Sequence, residues 1–461
     1  MEFETLVRNG QLVIAGQGII QADLGIRDGT IAAILSPGAE ASAAETIDAA
    51  GKVVLPGRIE PHSHIGLYRD PVVDLHSETR AAAAGGVTTF ITFWRKTEDY
   101  LTALPPLIAA GEQGATVDFA ISLGMQLEEH LEKLDRYIRE LGVSSFKFFL
   151  GYKGTAEGIK LGHTGVVDDG FVMDAMRALA PYQTALFEAH AENVEIMERL
   201  TKRVQESGQN DLAAWTAARP DYAEAENWLR MGYFARLTGC PIYAVHVTCI
   251  EALEVLKEAR RRGQTVWVET CHHYLRYTKD SPLGMYGKVN PPLRDEADVE
   301  ALWTGLADGS IDTVGADHAY FSKSTKGGDV WAASPGVGQG TGTVLPLLLS
   351  EGVNRGRLSL ERVAEVTSTN PAKAFNLFPR KGMIAVGSDA DLTIVDLNLT
   401  RTVDLDLLKS DADFAIWEGE TFTGWPVMTI VRGKVVMRDG EIVGQPGYGR
   451  YVRRPPARGV E

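Results

Sequence analysis

The chain has 461 residues, 44% of them hydrophobic, and a formal net charge of −15. This length suffices for a large core and two to three domains, and the acidity argues against a nucleic-acid-binding protein. Three cysteines without CxxC spacing argue against a disulfide framework and a thiolate zinc site. Since the sequence predicts neither a signal peptide nor a membrane span, we expect a cytoplasmic protein.

Both ends of the chain alternate apolar and polar residues between turn signals such as Asn9-Gly10 and Asp439-Gly440. This pattern is typical of short antiparallel strands. We therefore predict that residues 1–54 and 380–445 together form one small β-sandwich domain. Residues 446–461 follow it as a C-terminal tail.

Between these ends, residues 55–379 alternate short apolar strands with longer helical patterns, in roughly eight units. The strand segments are VVLPGRIEPHSH, TTFITF, VDFAISLG, SSFKFFLG, ALFEAHAE, PIYAVHVT, VWVETCHHYL and DTVGADHAYF. This order predicts an α/β fold, with a doubly wound open sheet as the alternative to a (β/α)8 TIM-like barrel. We favour the barrel because the polar residues suited to chemistry fall near the strand ends, where barrel active sites lie.

Five of these polar residues are typical metal ligands. His62 and His64 lie two residues apart on the first strand, so their rings point to the same face. His190 and His246 each close an apolar strand, and Asp317 closes the eighth. A core histidine or a helix cap would explain any one of them, but five at one end of a barrel favour a metal site.

Lys147 lies in the apolar run 146–150, which is predicted to be a buried strand. A buried ammonium is unfavourable unless it is paired or neutralised. Lys147 is therefore expected either to lose its proton or to react with carbon dioxide, forming a carbamate that can bridge two metal ions. The carbamate needs metal ligands elsewhere in the chain, and the four histidines and the aspartate supply them.

Two further positions lie beside these residues in the sequence. Cys271 precedes His272, which allows a cysteine nucleophile, but Cys271 falls in an apolar strand pattern typical of a core thiol. His318 follows Asp317 and has either a supporting role at the site or a purely structural one.

Several segments carry a family resemblance that covers nearly the whole chain. They are PGRIEPHSH, FKFFLGYKG, EAHAEN, YAVHVT, VNPPLRD, GADHA and NPAKAFNLFPRKGMIAVGSDADLTIVD. As a set they resemble the cyclic amidohydrolases of the amidohydrolase superfamily, most closely the hydantoinase and dihydropyrimidinase group.

The resemblance implies a binuclear centre of two divalent metal ions, zinc or alternatively manganese or cobalt. His62, His64 and Asp317 would hold one ion. His190 and His246 would hold the other. A carbamate on Lys147 and a hydroxide would bridge both ions.

The implied reaction is hydrolysis of a small cyclic amide by attack of the bridging hydroxide. Asp317 would take a proton and return it to the leaving nitrogen. Tyr152 follows Lys147 by five residues, as the catalytic tyrosine does in hydantoinases, and would donate to the oxyanion. Asn290 occupies the loop position whose backbone binds the ring imide in hydantoinases, and an Asn there is more similar to dihydroorotases, in which its side chain contacts the substrate. The resemblance also implies a homo-oligomer, a tetramer or a dimer, in which the tail reaches a neighbour.

Some features depart from hydantoinases and leave other reactions open. Dihydroorotases grip a carboxylate with an arginine at the position of Gly66, for which Arg69 is a possible substitute. Trp94 and Arg95 either narrow the pocket, favouring an aromatic or anionic substituent, or pack beneath a loop. The loop 335–342 is rich in glycine. The alternatives are dihydroorotase, allantoinase, a hydrolase of a non-cyclic amide or carbamate, and a non-catalytic scaffold.

Overall fold

The computed structural model describes residues 2–14, 16–155, 158–159, 162–163 and 167–456. Its strands in chain order are β1 Glu2–Ile14, β2 Gly18–Arg27, β3 Thr30–Leu35, β4 Ser42–Asp48, β5 Val53–Pro56, β6 Arg58–Glu60, β7 Ser63–His64, β8 Val87–Arg95, β9 Asp118–Gly124, β10 Ser145–Phe149, β11 Leu186–His190, β12 Ile242–Ala244, β13 Val266–Cys271, β14 Thr313–Gly315, β15 His318–Ala319, β16 Leu392–Thr402, β17 Thr421–Val431, β18 Lys434–Arg438 and β19 Glu441–Ile442.

Helices connect most of the middle strands. The longer α-helices are Pro71–Ala84, Tyr100–Gly111, Asp169–Leu179, Val194–Glu206, Leu212–Ala218, Asp221–Thr238, Ile250–Arg261 and Glu296–Asp308. Short α-helices are Glu128–Glu132, Leu134–Arg136, Val344–Leu347, Leu360–Ala364, Asn370–Ala374 and Leu405–Leu408. Wider π turns are Tyr137–Leu141, Leu348–Val353 and Glu365–Thr369, and 3₁₀ turns are Leu150–Tyr152, His272–Leu275, Gly284–Gly287, Lys323–Lys326 and Thr341–Thr343.

The two ends of the chain build one sheet, as predicted for a β domain split between them. Its strand order is β19-β18-β17-β16-β5-β1-β2-β3, and β4 pairs with β1. Strand β5 joins the halves, because it pairs in parallel with β1 and antiparallel with β16. Apolar residues from both ends, including Leu12, Val54 and Leu392, form a core of this sheet.

The middle strands form a closed barrel, which confirms the (β/α)8 prediction over the open sheet. The parallel strands run in the order β14-β13-β12-β11-β10-β9-β8-β7-β15, with β6 also beside β8. Strand β14 pairs with β13, and β15 pairs with β7. Since β14 and β15 are two halves of one eighth strand, their pairings close the ring.

The first predicted strand, 53–64, is divided between the two sheets. Strand β5 belongs to the sheet built by the two chain ends, which we call the outer sheet, and β6 begins the barrel. The domain boundary predicted between residues 54 and 55 therefore falls inside β5. Gly57 lies at the crossing, where a Cβ atom would stand 2.3 Å from Thr88 Oγ1. Only glycine allows the backbone to pass so close to the neighbouring strand.

The helices begin largely at aspartate caps, which accept hydrogen bonds from the first turn. Asp70 caps the helix Pro71–Ala84 in this way, and Asp168 caps Asp169–Leu179. The segment 128–142 has no such cap and is divided into short α turns and the π turn Tyr137–Leu141, ended by left-handed Gly142. Within the part of the chain that the structure covers, no helix is long and apolar enough to cross a membrane.

The described part of the tail packs against its own barrel. Val452 donates a backbone hydrogen bond to Phe119 of β9. Arg454 is buried and donates to Ile121 O at 2.8 Å and to Ser144 Oγ at 3.1 Å. Residues 446–456 therefore pack on the barrel of their own chain. Residues 457–461 lie outside the described residues.

Candidate metal centre and substrate cavity

The barrel brings the six predicted ligands to its carboxyl end. They come from or directly follow strands β6, β7, β10, β11, β12 and β14, whose carboxyl ends meet at one rim. The ring centroids of His62 and His246 lie 5.4 Å apart, as do those of His62 and His64. The rings of His190 and His246 are 4.7 Å apart. Lys147 and Asp317 line the same cavity.

His62, His64 and Asp317 form a group with the composition of a metal site. The Nε2 atoms of His62 and His64 lie 3.1 Å and 3.0 Å from Asp317 Oδ1. One ligand atom from each residue falls within 4.8 Å of the others. Two imidazoles and a carboxylate suit a zinc-like divalent ion.

The electrostatics of this group follow from burial and from a further carboxylate. Burial alone would lower the pKa of His62, but Glu269 and Asp317 outweigh it and raise this pKa to about 9. Glu269 Oε1 lies 2.6 Å from His62 Nδ1 and accepts the backbone N–H of His246 at 3.0 Å. Burial lowers the pKa of His64 to about 4. Glu269 thus orients the ring of His62 and the backbone of His246.

The backbone is unusual at two of the predicted ligands. His246 has a φ of 41° and Asp317 a φ of 49°, in the left-handed region that residues other than glycine rarely adopt. This conformation costs about 1–3 kcal/mol at each position. Such strain at two predicted ligand positions is a common feature of functional sites.

His190 and His246 lie next to Lys147. His190 Nε2 is 2.7 Å from Glu192 Oε2, which also forms a 3.0 Å ion pair with Arg219. Burial lowers the pKa of both histidines, so both rings are neutral and able to bind a metal.

Lys147 is only 1% exposed, and its Nζ has no hydrogen-bond partner among the described residues. Burial lowers its pKa to about 8, against the opposing effects of Glu188 and Asp317. Glu188 lies opposite Lys147 on β11, and burial raises its pKa to about 7. A buried amine with this pKa is partly neutral near neutral pH, as addition to carbon dioxide requires.

The donor set fits two metal ions. Four imidazoles and one carboxylate surround a buried amine that has no hydrogen-bond partner within the described chain. Unpartnered buried polar atoms are rare in folded proteins and point to a missing partner. A carbamate on this nitrogen would place an anion between two groups of ligands.

Tyr152 and Asn290 stand together above the ligands. Asn290 Nδ2 donates to the Tyr152 hydroxyl at 3.0 Å, although 138 residues separate the two in sequence. The Tyr152 ring lies 4.8 Å from that of His190 and stacks on His163, with 3° between the planes. His163 therefore belongs to the cavity wall, although no motif or strand pattern around it indicated such a place.

The structure separates the two residues of the Trp94-Arg95 pair. Successive side chains of a strand point to opposite faces. Phe93 packs on His62, Arg95 lines the cavity, and Trp94 points away and packs against Tyr100 in the core. The expectation that both residues would act together on the substrate therefore does not hold for Trp94.

Arg69 does not replace the arginine of dihydroorotases. Its guanidinium pairs with Asp74, with Glu78 at 2.7 Å and with Asp411 at 3.1 Å. Asp74 also accepts the backbone N–H of Gly66 at 2.7 Å. This network fixes the loop after β7, so the structure gives Arg69 a structural role.

The other residues singled out near the site make contacts within the fold. Cys271 is buried, and burial raises the pKa of its thiol well above the usual range, as expected for a core residue. His272 contacts Thr343 Oγ1 at 2.9 Å. His318 contacts Glu78 at 2.7 Å and accepts from Gly340 N, which supports a structural role. From the glycine-rich loop, Gly336 reaches the cavity lining.

A second acidic cluster is filled by a cation of the chain itself. Asp118, Asp389 and Asp391 meet beneath the barrel. Lys381 Nζ lies 2.8, 3.0 and 2.6 Å from their carboxylates. This cluster therefore joins the barrel to the outer sheet.

Comparison with known proteins gives the same family as the geometry. The sequence model of the Amidohydrolase family matches residues 53–436. The chain is 37% identical over 465 residues to a D-hydantoinase of Geobacillus stearothermophilus, covering 97% of this chain and 96% of the relative. It is 34% identical to an L-hydantoinase of Paenarthrobacter aurescens, covering 98% of both.

A solved structure agrees over the same length. The dihydropyrimidinase from Brevibacillus agri superposes with a TM-score of 0.89 at 32% identity, covering 98% of this chain and 99% of that one. The family model, the curated relatives and the solved structure all match this chain over most of its length. This chain therefore belongs to the amidohydrolase family.

Proposed function

We propose that the protein is a metal-dependent hydrolase that opens cyclic amides of the hydantoin or dihydropyrimidine type. The observation that carries this proposal is the buried Lys147 amine, without a hydrogen-bond partner in the described chain and surrounded by His and Asp ligands. Relatives named hydantoinase and dihydropyrimidinase, similar over nearly their whole length, support the substrate class.

The ligands would hold two divalent ions, zinc or alternatively manganese or cobalt. His62, His64 and Asp317 would bind one ion, His190 and His246 the other, and a carbamate on Lys147 would bridge them. When bound, such a pair supplies a hydroxide at neutral pH and polarises the amide carbonyl.

Asp317 would carry the proton during ring opening. Burial would raise its pKa, but His62 and His64 keep this pKa well below the usual range, so the carboxylate is ionised. An ionised carboxylate at this position would accept the proton of the attacking water and deliver it to the leaving ring nitrogen.

Tyr152, oriented by Asn290, would bind the substrate carbonyl. Because the Tyr152 oxygen accepts from Asn290 Nδ2, its own O–H can donate to the oxygen that becomes negative as the carbonyl is attacked. The two residues are 138 positions apart in the sequence, so it is the fold that brings them together.

The metal content of the protein tests this proposal together with its activity. Purified without chelator, the chain should contain about two transition-metal ions. The metal-loaded protein should hydrolyse hydantoin or dihydrouracil more efficiently than dihydroorotate, allantoin or a linear amide. A protein that holds no metal, or that cleaves only linear amides, would contradict the proposal.

We also propose that the protein is located in the cytoplasm. Three buried free cysteines are consistent with a reducing compartment.

We further propose that the protein is a homo-oligomer, a dimer or a tetramer. On the helix Asp221–Thr238, four large side chains are each more than half exposed and lie within about a quarter of its circumference. They are Tyr222, Leu229, Tyr233 and Leu237.

An apolar stripe of this kind marks a protein contact. Light scattering should therefore give a mass of at least two chains, and Leu229→Glu together with Leu237→Glu should lower it. A wild-type monomer would contradict this part of the proposal.

A further inference from the structure

Arg95 closes strand β8 at the wall of the cavity. Phe93, two residues earlier on the same face, packs against His62 at 4.8 Å between ring centroids. Lys147 Nζ lies 4.4 Å from the centre of the Phe93 ring. Phe93 therefore lies at the level of the metal ligands in the barrel. Arg95 lies on the same face of β8, nearer the barrel mouth.

The strand geometry sets the distance between the two levels. Two residues of a strand advance the backbone by about 6.6 Å. Arg95 therefore lies roughly that much closer to the barrel mouth than Phe93. A ring held at the metal ligands would direct a short substituent toward this level.

The surroundings of Arg95 suit recognition of an anion. Its guanidinium lies 5.2 Å from the centre of the Phe149 ring, which also lines the cavity. Burial lowers the pKa of Arg95, and the phenols of Tyr152, Tyr100 and Tyr68 act in the opposite direction. An arginine stays protonated even so, and its planar fork matches the two oxygens of a carboxylate.

Arg95 also affects its neighbours in the cavity. His163 shares the wall with it, and burial together with the charge of Arg95 lowers the pKa of His163 to about 2. The described lining contributes a single carboxylate, Asp317, which faces His62 and His64. Among the described lining residues, the outer part of the cavity is therefore formed by a cation, neutral rings and apolar groups.

We propose that Arg95 binds a carboxylate at the end of a short substituent on the substrate ring. The substrate class is thus a cyclic amide that carries an acidic side chain of one or two methylene groups. This inference rests on the proposed ring-opening function, because it assumes that the reacting amide lies at the metal ligands.

Paired substrates test this assignment. Hydantoins substituted at position 5 with acetic or propionic acid are compared with the corresponding carboxamides, which have nearly the same shape without the charge. The metal-loaded wild type should show a kcat/KM about 10- to 100-fold higher for the acids, as expected for a charge-assisted hydrogen bond.

Variants of Arg95 locate the origin of that preference. Arg95→Gln should remove the 10- to 100-fold advantage, leave the carboxamides within about threefold, and reduce the salt dependence of KM for the acids. Arg95→Lys should keep part of the preference, since a point charge replaces the planar fork. Lys96→Gln, the neighbouring basic residue, is the matched control and should behave like the wild type.

Three outcomes separate this inference from the proposed function. Equal kcat/KM for acids and carboxamides in the wild type overturns it, and so does an equal loss for both in Arg95→Gln. Calorimetric binding covers the case without turnover. Acids that bind through Arg95 but are not hydrolysed would support the carboxylate site and refute the proposed reaction.

Discussion

Replacing Tyr152 by phenylalanine removes one hydroxyl and leaves the ring in place. The ring is held by stacking on His163 at 5.0 Å and by contact with His190 at 4.8 Å. A phenylalanine keeps both contacts, so the variant should fold and bind metal as the wild type does. The change therefore isolates the hydroxyl that accepts from Asn290 Nδ2.

The expected magnitude depends on when the hydroxyl is needed. A donor to an oxyanion that develops during the reaction is worth about 2.7–4 kcal/mol, or roughly 100- to 1000-fold in kcat. A hydrogen bond made equally to the bound substrate is worth about 0.5–1.5 kcal/mol and changes KM alone. Since Tyr152 lies beside the ring of His190, we expect the larger effect on kcat.

The assay is ring opening of a cyclic amide by wild type and Tyr152→Phe, each loaded to the same metal content. Asn290→Ala provides the control, because its amide would act mainly by orienting Tyr152. Asn290→Ala alone should lower kcat by about 10-fold relative to the wild type. Added to Tyr152→Phe, it should have little further effect on kcat. A kcat within threefold of wild type in Tyr152→Phe, or full additivity with Asn290→Ala, would refute the role assigned to this hydroxyl.

Three further predictions concern the lysine, a buried carboxylate and the tryptophan. Lys147→Ala should lose metal and at least about 1000-fold in kcat, with partial recovery in short carboxylic acids; a fully active variant would contradict the bridge. Burial would raise the pKa of Glu78, but His318 and Ser77 lower it from 4.5 to about 2. The stability from Glu78, about 3 kcal/mol, is thus present above pH 4.5 and lost toward pH 2, so wild type and Glu78→Gln should converge there in urea unfolding. Trp94→Phe should change stability but leave KM within about twofold, and a larger change in KM would return Trp94 to the cavity.

The meeting of the six candidate ligands at one rim could be predicted because each of them breaks a strong local rule. A lysine inside an apolar strand, and histidines or an aspartate at strand ends, stand out against the core pattern around them. Once the barrel closes, the carboxyl ends of its strands share one rim, so residues far apart in sequence must meet. His62, Lys147 and Asp317 needed no knowledge of loops to be placed together.

The supporting carboxylates carry a similar signal, although they were not among the predicted site residues. Glu188 and Glu269 also lie inside apolar strands, in the segments ALFEAH and VWVETC. Both are fully buried, and Glu269 orients His62 while Glu188 faces Lys147. The rule that singles out Lys147 would also have identified them, because a buried carboxylate needs a partner as much as a buried amine does.

The outer part of the cavity depends on information that lies outside any single segment. Strand alternation would have excluded Trp94 from the face that holds Phe93, but only after the register of β8 was known. The contacts of Arg69 with Asp411, and of Tyr152 with Asn290, join loops separated by 342 and 138 residues. Such loops are positioned by the whole barrel, so a motif can suggest that they meet the substrate without showing which atoms face it. The proposed ring substituent therefore rests on the position of Arg95 in the folded chain and not on a sequence motif.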